Sequence, residues 1–385
     1  MPGGKRFLKG LFVVFLVFCV VFTTVLGGLI LTDYKGLGQL VQVVALVKAN
    51  FLWDVEIGQL IEGAITGLVE SLGDQYSAYM NAEKFQELQR HIQGSFGGIG
   101  IYVGVREGNI TVIAPIEGTP AAKAGIKAGD VIAKINGKAT VNMDIDEAVS
   151  LMKGEPGTEV KVSIERPGQE KPLEFTLVRE IINVPTVAGE ILPQNPDIAY
   201  LRISMFASNT DEALSKELEM LEEKGFKGLI IDLRDNPGGD LQSVVNIAGY
   251  FVPAGPIVHI VDNNNNLQTF SAPGNNLEIP LVVLINGGSA SASEILAGAI
   301  KDTKTGTLIG TNTFGKGIVQ SIYFLNEGAG LKLTTAKYLT PNKNDIHEKG
   351  IAPDIVVELP EYAPGQEFVE DTQLKKAIEV LEERI

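Results

Sequence analysis

The most constraining feature of this sequence is a predicted strand that turns abruptly into a helix between residues 281 and 300. The apolar run Leu281–Ile285 is too short for a helix and predicts a buried strand. Asn286-Gly287-Gly288 predicts a tight turn, and a helical pattern begins near Ala292. Residues in such a turn lie at the helix N-terminus, where unpaired N–H groups and the positive end of the helix dipole face outward. Three serines crowd this point: Ser289, Ser291 and Ser293.

A serine at this position has two interpretations. Its hydroxyl could attack a carbonyl group while the next backbone N–H stabilises the resulting oxyanion, as in a nucleophile elbow. Alternatively, Ser291-Ala-Ser-Glu294 fits a capping box, and a serine before a helix is more often a cap than a nucleophile. The turn alone leaves both interpretations open.

A second segment, Thr313-Phe-Gly-Lys-Gly-Ile-Val-Gln320, bears on this choice because it places Lys316 between two glycines and apolar neighbours. Desolvation lowers the pKa of a lysine towards the range of a general base, although a solvated surface cation is the commoner case. Gln320 follows four residues later. If both residues belong to one strand, this even spacing puts them on the same face, where Gln320 could orient the amine.

Together these two segments resemble the carboxy-terminal processing, or tail-specific, peptidases, which are serine proteases. The resemblance extends from about Leu60 to the C-terminus. It implies that Ser291 is the nucleophile, Lys316 the base and Gln320 the orienting residue. It also implies an oxyanion hole formed by the N–H groups of Gly239 and Ala292.

The resemblance also implies the fold: a mixed α/β protein with a ClpP/crotonase-like catalytic core, an inserted circularly permuted PDZ domain and an N-terminal transmembrane helix. The expected segments are residues 1–33 as a cytoplasmic stub with an anchor or signal sequence, and residues 34–93 as a helical region that often contributes to dimerisation. Residues 94–180 form the PDZ domain, 181–360 the peptidase core and 361–385 a C-terminal helix.

Short strands alternate with two short helices from Gly94 to Val178, which is the pattern that resembles a PDZ domain. One predicted helix starts at Thr119-Pro120, and the other covers Ile145 to Met152. Gly98-Ile99-Gly100-Ile101 matches the PDZ loop whose N–H groups receive a peptide carboxylate, while the adjoining strand edge pairs with the peptide. By itself this tetrapeptide is also compatible with an ordinary turn. Arg166 matches by position an arginine that links PDZ occupancy to the catalytic lysine in this family, although a surface arginine beside a turn is commoner.

Strands and helices alternate again from Ile198 to Phe251, and runs such as Gly228–Leu233 predict strands buried on both faces. The segment Arg234–Gly239 predicts a loop that leads into a helix. Residues 263–266 are four asparagines and predict a polar loop. The final residues predict an amphipathic helix that could pack on the core or on a second subunit.

Residues 11–31 contain no charge and follow Lys5, Arg6 and Lys9, so they predict a membrane anchor with a cytoplasmic N-terminus. A cleaved signal peptide is the alternative. Under either interpretation, the rest of the chain is expected outside the cytoplasm of a bacterial cell. The single cysteine, Cys19, lies inside this segment, which leaves none for a disulfide framework.

Composition excludes several classes of function. The net charge of -15 argues against a nucleic-acid partner. Three histidines and one cysteine leave little for a metal site, and we expect no cofactor. Gly310–Gly317 is one residue short of a phosphate-binding P-loop, but Gly317 occupies the Ser/Thr position and a strand is expected to follow.

The sequence therefore predicts a membrane-anchored serine endopeptidase that captures exposed apolar C-terminal tails through its PDZ domain. Its expected partners are proteins or peptides with free C-termini, the membrane, a second copy of the chain and an activating protein. The main alternative is a non-catalytic peptide-binding scaffold that uses only the PDZ domain. A Ser-His-Asp enzyme that uses His259 is a weaker alternative, because nothing near His259 in sequence marks it as a base.

Overall fold

The computed structural model describes residues 15–18, 20, 23, 35–106, 108–169, 171–183, 185–360 and 370–385. The predicted anchor at residues 11–31, including Cys19, lies largely outside this range. In the described part of the chain, no helix combines the length and apolar character needed to cross a bilayer. The chain divides into two compact units, Met1–Tyr79 and Met80–Ile385.

The structure contains both helices and strands throughout the described residues. The helices are α1 (Lys35–Asn50), α2 (Ile57–Glu70), α3 (Ala82–Ile92), α4 (Pro120–Lys123), α5 (Ile145–Met152), α6 (Thr210–Glu222), α7 (Leu241–Ala248), α8 (Ala292–Thr303) and α9 (Thr372–Glu382). The strands up to residue 203 are β1 (Ala78–Met80), β2 (Ser95–Gly98), β3 (Ile101–Arg106), β4 (Asn109–Pro115), β5 (Val131–Ile135), β6 (Lys138–Ala139), β7 (Glu159–Glu165), β8 (Leu173–Val178), β9 (Glu180–Asn183), β10 (Val187–Ile191) and β11 (Ile198–Ile203). The remaining strands are β12 (Gly228–Asp232), β13 (Gly255–Asp262), β14 (Leu267–Ala272), β15 (Leu281–Ile285), β16 (Thr307–Gly310), β17 (Ile318–Phe324), β18 (Gly330–Leu339) and β19 (Ile355–Val356).

In the first unit, helices α1 and α2 leave most of their apolar side chains exposed. Val41 is 63% exposed and Leu68 is 68% exposed. In α2 only Val69 is buried. Leu37, Leu40 and Leu46 of α1 and Ile61 of α2 are also more than 40% exposed.

In the second unit, residues 95–183 form a small sheet domain with its own core. An antiparallel sheet has the strand order β3-β4-β5-β7-β8, so β3 is an edge strand. Buried residues such as Ile132, Val162 and Ile164 fill the interior beneath α5. The segments that enter and leave this domain, β2 and β9, pair with each other as an antiparallel ribbon.

The larger domain is built on a six-stranded sheet with the order β10-β11-β12-β15-β16-β19. Its strands are parallel except for β10. Alternate residues of each strand face opposite sides, so Leu229 and Ile231 join the core beneath α6, α7 and α8. Ile230 and Leu284 face the other side, where α9 packs. Burial on both faces explains why these strands are continuous apolar runs.

A second sheet, which includes β17, β18, β13 and β14 in that order, is antiparallel. The predictions of a strand at residues 281–285 and of helices near residues 145 and 292 are confirmed. The hairpin β13–β14 was not predicted; residues 263–266 form its turn. The mixed α/β class expected from the sequence is confirmed.

Candidate active site

The site lies where two neighbouring parallel strands, β12 and β15, end at the same edge of the sheet. The loops that follow them are joined by hydrogen bonds. Ser289 Oγ donates to the Leu233 carbonyl at 2.8 Å, and the Ala290 N–H donates to the Asn236 carbonyl at 2.9 Å. This edge of a parallel sheet is the usual position of ligand sites in α/β folds.

Burial distinguishes the three serines of the turn. Ser289 and Ser293 are 0% exposed, and each donates to a backbone carbonyl; Ser293 Oγ reaches Asn236 O at 2.9 Å. Ser291 is partly exposed. Of these three hydroxyls, therefore, the hydroxyl of Ser291 is the one accessible to a substrate.

The backbone of Ser291 is strained. Its φ is 54° and its ψ is -111°, a conformation that residues with a side chain rarely adopt. Such a conformation costs on the order of 1–3 kcal/mol and persists only where the surrounding structure enforces it. A serine held this way between a strand and a helix has the geometry of a nucleophile elbow.

Glu294, in the first turn of α8, connects the Ser291 turn to the Lys316 loop. Its carboxylate is fully buried. Oε2 accepts hydrogen bonds from the N–H of Ser291 at 2.9 Å and of Lys316 at 2.8 Å. Oε1 accepts from the Gly315 N–H at 2.7 Å and from Thr313 Oγ1 at 2.6 Å. In the sequence, Glu294 is recognisable only as part of a capping box. Its hydrogen bonds to the Lys316 loop were therefore not predicted.

Glycines bring a third segment against the turn. Ala292 is the first residue of α8, so its N–H has no acceptor within the helix. A methyl group at Gly238 would lie 2.7 Å from the Ala292 nitrogen and 2.8 Å from Ser291 Cβ. A methyl group at Gly239 would collide with the Phe206 carbonyl oxygen. Only glycine allows this approach, which brings the Gly238-Gly239 segment against the turn of the expected nucleophile.

Lys316 is partly buried and precedes β17, which begins at Ile318. Gln320 lies in β17, just after a register shift between Val319 and Gln320. The prediction that Lys316 and Gln320 lie on the same face of one strand is therefore wrong, because Lys316 lies before the strand and the strand is irregular. The Gln320 side-chain amide donates to Ile318 O at 3.5 Å. Its role as the orienting residue stays a prediction.

A buried ion-pair network supports the loop that follows β12. The Arg234 guanidinium donates to Asp232 with Nη2 at 2.6 Å and to Asp371 with Nη1 at 3.0 Å, and it also contacts Gln373. Burial alone would lower the pKa of Arg234, but its hydrogen bonds to the two carboxylates raise it above its ordinary value. Arg234 therefore stays charged and ties this loop to the start of α9.

The predicted carboxylate-binding loop is buried for most of its length. Gly98, Ile99 and Gly100 are buried, and Ile101 is partly exposed at the start of the edge strand β3. Gly98 ends β2 and pairs with Glu180 of the connecting ribbon. Gly100 has a φ of 76°, which requires glycine.

Arg166 lies within the small domain and is held by Asp130. Nε and Nη2 each donate to the Asp130 carboxylate at 2.7 Å, and Nη2 also donates to Gly125 O at 2.8 Å. Burial raises the pKa of Asp130, but hydrogen bonds from Arg166 and the Lys127 N–H outweigh this effect and lower it overall. These contacts give Arg166 a role inside the domain, and its regulatory role stays a prediction.

Two rival sites find no support in this geometry. The ring nitrogens of His259 lie 2.8 Å from Thr269 Oγ1 in β14 and 3.2 Å from Pro341 O in the loop after β18, so both have partners. The loop Gly310–Gly317 leads into the strand β17, whereas a P-loop leads into a helix. Among the described residues, no cluster of acidic, histidine or cysteine side chains could hold a metal ion.

Replacing Glu294 with Gln should destabilise the protein. A glutamine offers one acceptor oxygen, and its amide N–H groups would face the donors that the carboxylate now satisfies. Each buried donor left unpaired costs about 1–3 kcal/mol. Urea denaturation should show this loss for Glu294→Gln and none for Glu223→Gln, which changes an exposed side chain. Equal stability of the two variants would show that the four hydrogen bonds are not needed.

Comparisons with known proteins agree with the architecture. Residues 197–357 match peptidase family S41, residues 111–166 match the PDZ domain, and residues 30–84 match the activating protease CtpB N-terminal domain. The carboxy-terminal-processing protease of Bartonella bacilliformis is 42% identical over 334 residues, which cover 85% of this chain and 76% of that protein. The carboxy-terminal processing protease CtpB of Bacillus subtilis is 39% identical over 331 residues, covering 85% of this chain and 69% of that protein.

The structure of the photosystem II D1 C-terminal processing protease superposes with a TM-score of 0.52 at 32% identity, covering 82% of this chain and 86% of that one. Sequence identity at this level over most of both chains shows a common family as well as a common fold. The chain therefore belongs to the carboxy-terminal processing proteases of peptidase family S41, as a serine-type peptidase with a PDZ domain.

Proposed function

We propose that this peptidase cleaves proteins near their C-termini through an acyl-enzyme formed on Ser291, with Lys316 as the base. One observation carries the assignment. Ser291 is the accessible serine of the turn, and its strained backbone is held by the same Glu294 oxygen that holds the Lys316 amide. This shared anchor keeps the backbones of Ser291 and Lys316 close together, which supports their assignment as nucleophile and base.

In the first step, Ser291 Oγ attacks the substrate carbonyl carbon, and its proton passes to the neutral amine of Lys316. The carbonyl oxygen becomes an oxyanion, which the N–H groups of Gly239 and Ala292 stabilise. Collapse of this intermediate breaks the peptide bond, and Lys316 returns the proton to the leaving amine. Water then attacks the acyl carbon while Lys316 accepts a proton from it. The bond between the acyl carbon and Ser291 Oγ breaks, and Lys316 returns the proton to Oγ, which releases the new C-terminus and regenerates Ser291.

The PDZ domain supplies the preference for tails. The edge strand β3 has a free side for an added peptide strand, and α5 lies beside it. The partly exposed side chains here are apolar and pack against the domain core: Ile101 and Val103 of β3, and Val149 of α5. They favour apolar side chains in the peptide. The N–H groups near Gly100 would receive the terminal carboxylate.

The N-terminal region is the part of the chain that contacts the membrane and other protein chains. Its long uncharged segment, residues 11–31, favours attachment to a bacterial membrane with the peptidase outside the cytoplasm. The exposed apolar surfaces of α1 and α2 favour a second copy of the chain. The match of residues 30–84 to the N-terminal domain of an activating protease is compatible with a further protein that participates in regulation.

Replacing Ser291 with Ala should abolish cleavage of a tail peptide while the fold is retained, because the accessible nucleophile is removed. Ser289→Ala and Ser293→Ala should each lose about 1 kcal/mol of stability through a buried hydrogen bond, yet continue to cleave. Mass spectrometry of a peptide digest and thermal unfolding check both outcomes. Turnover by Ser291→Ala would refute the nucleophile assignment, and absence of turnover in the unmodified protein would favour the scaffold alternative.

Amidating the C-terminus of a peptide should weaken its capture by the intact protein. The N–H groups near Gly100 would lose a charge-assisted hydrogen bond worth roughly 1.5–3 kcal/mol, which corresponds to about a tenfold to hundredfold loss of affinity. Isothermal titration with Ser291→Ala prevents cleavage during the measurement. Equal affinities of the acid and amide peptides would mean that tail selection does not depend on the terminal carboxylate.

The apolar surface of α1 should mediate self-association. Leu37→Glu with Val41→Glu places two charges on exposed apolar positions of one helix face, and should convert dimers to monomers. Gln39→Glu, an exposed polar position on the same helix, should leave dimers intact. Sedimentation velocity of the full chain in a mild detergent gives the masses. A monomeric unmodified protein would contradict the dimer.

A further inference from the structure

A buried tyrosine contacts the backbone of both expected catalytic residues. Tyr338, on β18, is 2% exposed. Its hydroxyl lies 2.9 Å from the Ser291 carbonyl oxygen and still closer to the Lys316 carbonyl oxygen. Its own N–H donates to Gly317 O at 3.1 Å. One side chain of the second sheet thus reaches the nucleophile turn and the base loop at once.

The two carbonyls do not depend on this hydroxyl equally. The Ser291 carbonyl also accepts hydrogen bonds from the N–H groups of Glu294 at 2.9 Å and Ile295 at 3.0 Å, as part of α8. The hydroxyl has a single hydrogen, so it can form one full hydrogen bond or share the hydrogen between both oxygens. The Ser291 carbonyl therefore keeps two hydrogen bonds when the hydroxyl is removed.

The Tyr338 hydroxyl, which is the donor in this contact, stays protonated at neutral and moderately alkaline pH. Complete burial, reinforced by the negative charge of Glu294, raises the pKa of Tyr338 well above its ordinary value. A raised pKa favours the neutral phenol, so this contact persists from acidic pH through the ordinary pKa of tyrosine near 10. Alkaline conditions that ionise exposed tyrosines leave this donor intact.

We propose that Tyr338 is a positioning residue for the peptidase reaction, which holds the Lys316 loop against the Ser291 turn through a hydroxyl placed between their two carbonyl oxygens. Glu294 secures the N–H groups of the same two residues from one side, and Tyr338 secures their carbonyls from the other. The inference rests on the proposed Ser291–Lys316 chemistry. It assigns to β18 a role in setting the separation of nucleophile and base.

The test is Tyr338→Phe, which removes the oxygen and keeps the ring. A misplacement of about 1 Å can cost on the order of a hundredfold in rate, so kcat should fall by about tenfold to a hundredfold. KM should stay within about twofold, because Tyr338 is buried and does not reach the peptide groove. The acylation rate of Ser291 with a small p-nitrophenyl ester should fall by the same factor, although the ester never engages the PDZ domain.

Tyr250→Phe is the matched control. It removes a hydroxyl that donates to Ser215 Oγ of α6 at 3.2 Å, instead of to the Ser291 or Lys316 carbonyl, and should leave kcat unchanged. Wild-type kcat and acylation in a folded Tyr338→Phe protein would overturn the positioning role. A wild-type protein that neither cleaves peptides nor reacts with the ester would instead overturn the proposed function.

A second variant keeps the proposal testable if Tyr338→Phe does not fold. Tyr338→His retains a ring N–H donor, but an imidazole is shorter than a phenol and cannot lie between both carbonyls. Its kcat should fall at least about fivefold with KM unchanged, since the positioning contact is only partly replaced. A folded Tyr338→His protein with wild-type kcat would overturn the proposal equally.

Discussion

The buried carboxylate of Glu294 is the interaction on which the site depends. A fully buried carboxylate is costly unless its oxygens are hydrogen-bonded, and here four donors satisfy them. The first turn of α8 adds favourable helix-dipole interactions for a negative charge. Since the donors come from the Ser291 turn and from residues 313–316, the charge can be satisfied only when these two segments are adjacent. The buried charge is therefore stable only in a fold that brings the two segments of the site together.

The strained backbone of Ser291 is held in place by close packing against the glycines of the neighbouring loop. A left-handed backbone at a residue with a side chain requires neighbours that leave no alternative. Gly238 and Gly239 meet this requirement, because any side chain at either position would collide with the turn or with Phe206. Arg234, paired with Asp232 and Asp371, fixes the beginning of the same loop. The nucleophile turn is thus held by rigid elements on each side, as a preorganised site requires.

Local patterns were sufficient to predict much of the fold. The apolar run Leu281–Ile285 and the helix Ile145–Met152 lie where the sequence places them, because burial and capping act over a few residues. The hairpin β13–β14 was missed because most side chains of β14 are exposed, so its sequence lacks the apolar pattern of a buried strand. Lys316 lies before β17, and the strand has a register shift between Val319 and Gln320; residue spacing in the sequence reveals neither feature.

The candidate site shows the same division. Ser291 is marked by a strand, a turn and a helix that adjoin it in sequence. Glu294 is visible only as half of a capping box, because its bonds to residues 313–316 require the folded chain. Tyr338 has no sequence signal at all, since an aromatic residue in a strand is usually core. Its contacts with both loops arise from the packing of the second sheet against the first.

Hydrogen bonds also join the small sheet domain to the ribbon through which the chain enters and leaves it. Both crossings of the chain run through the ribbon β2–β9, and Arg179 stands immediately before β9. Its buried guanidinium donates to the carbonyls of Leu151 and Met152 at the end of α5, and burial lowers its pKa. Because these acceptors belong to the backbone of α5, a displacement of α5 must either break the hydrogen bonds or move Arg179 and β9 with it. Arg179 therefore links the end of α5 to the ribbon β2–β9, through which the chain enters and leaves the small sheet domain.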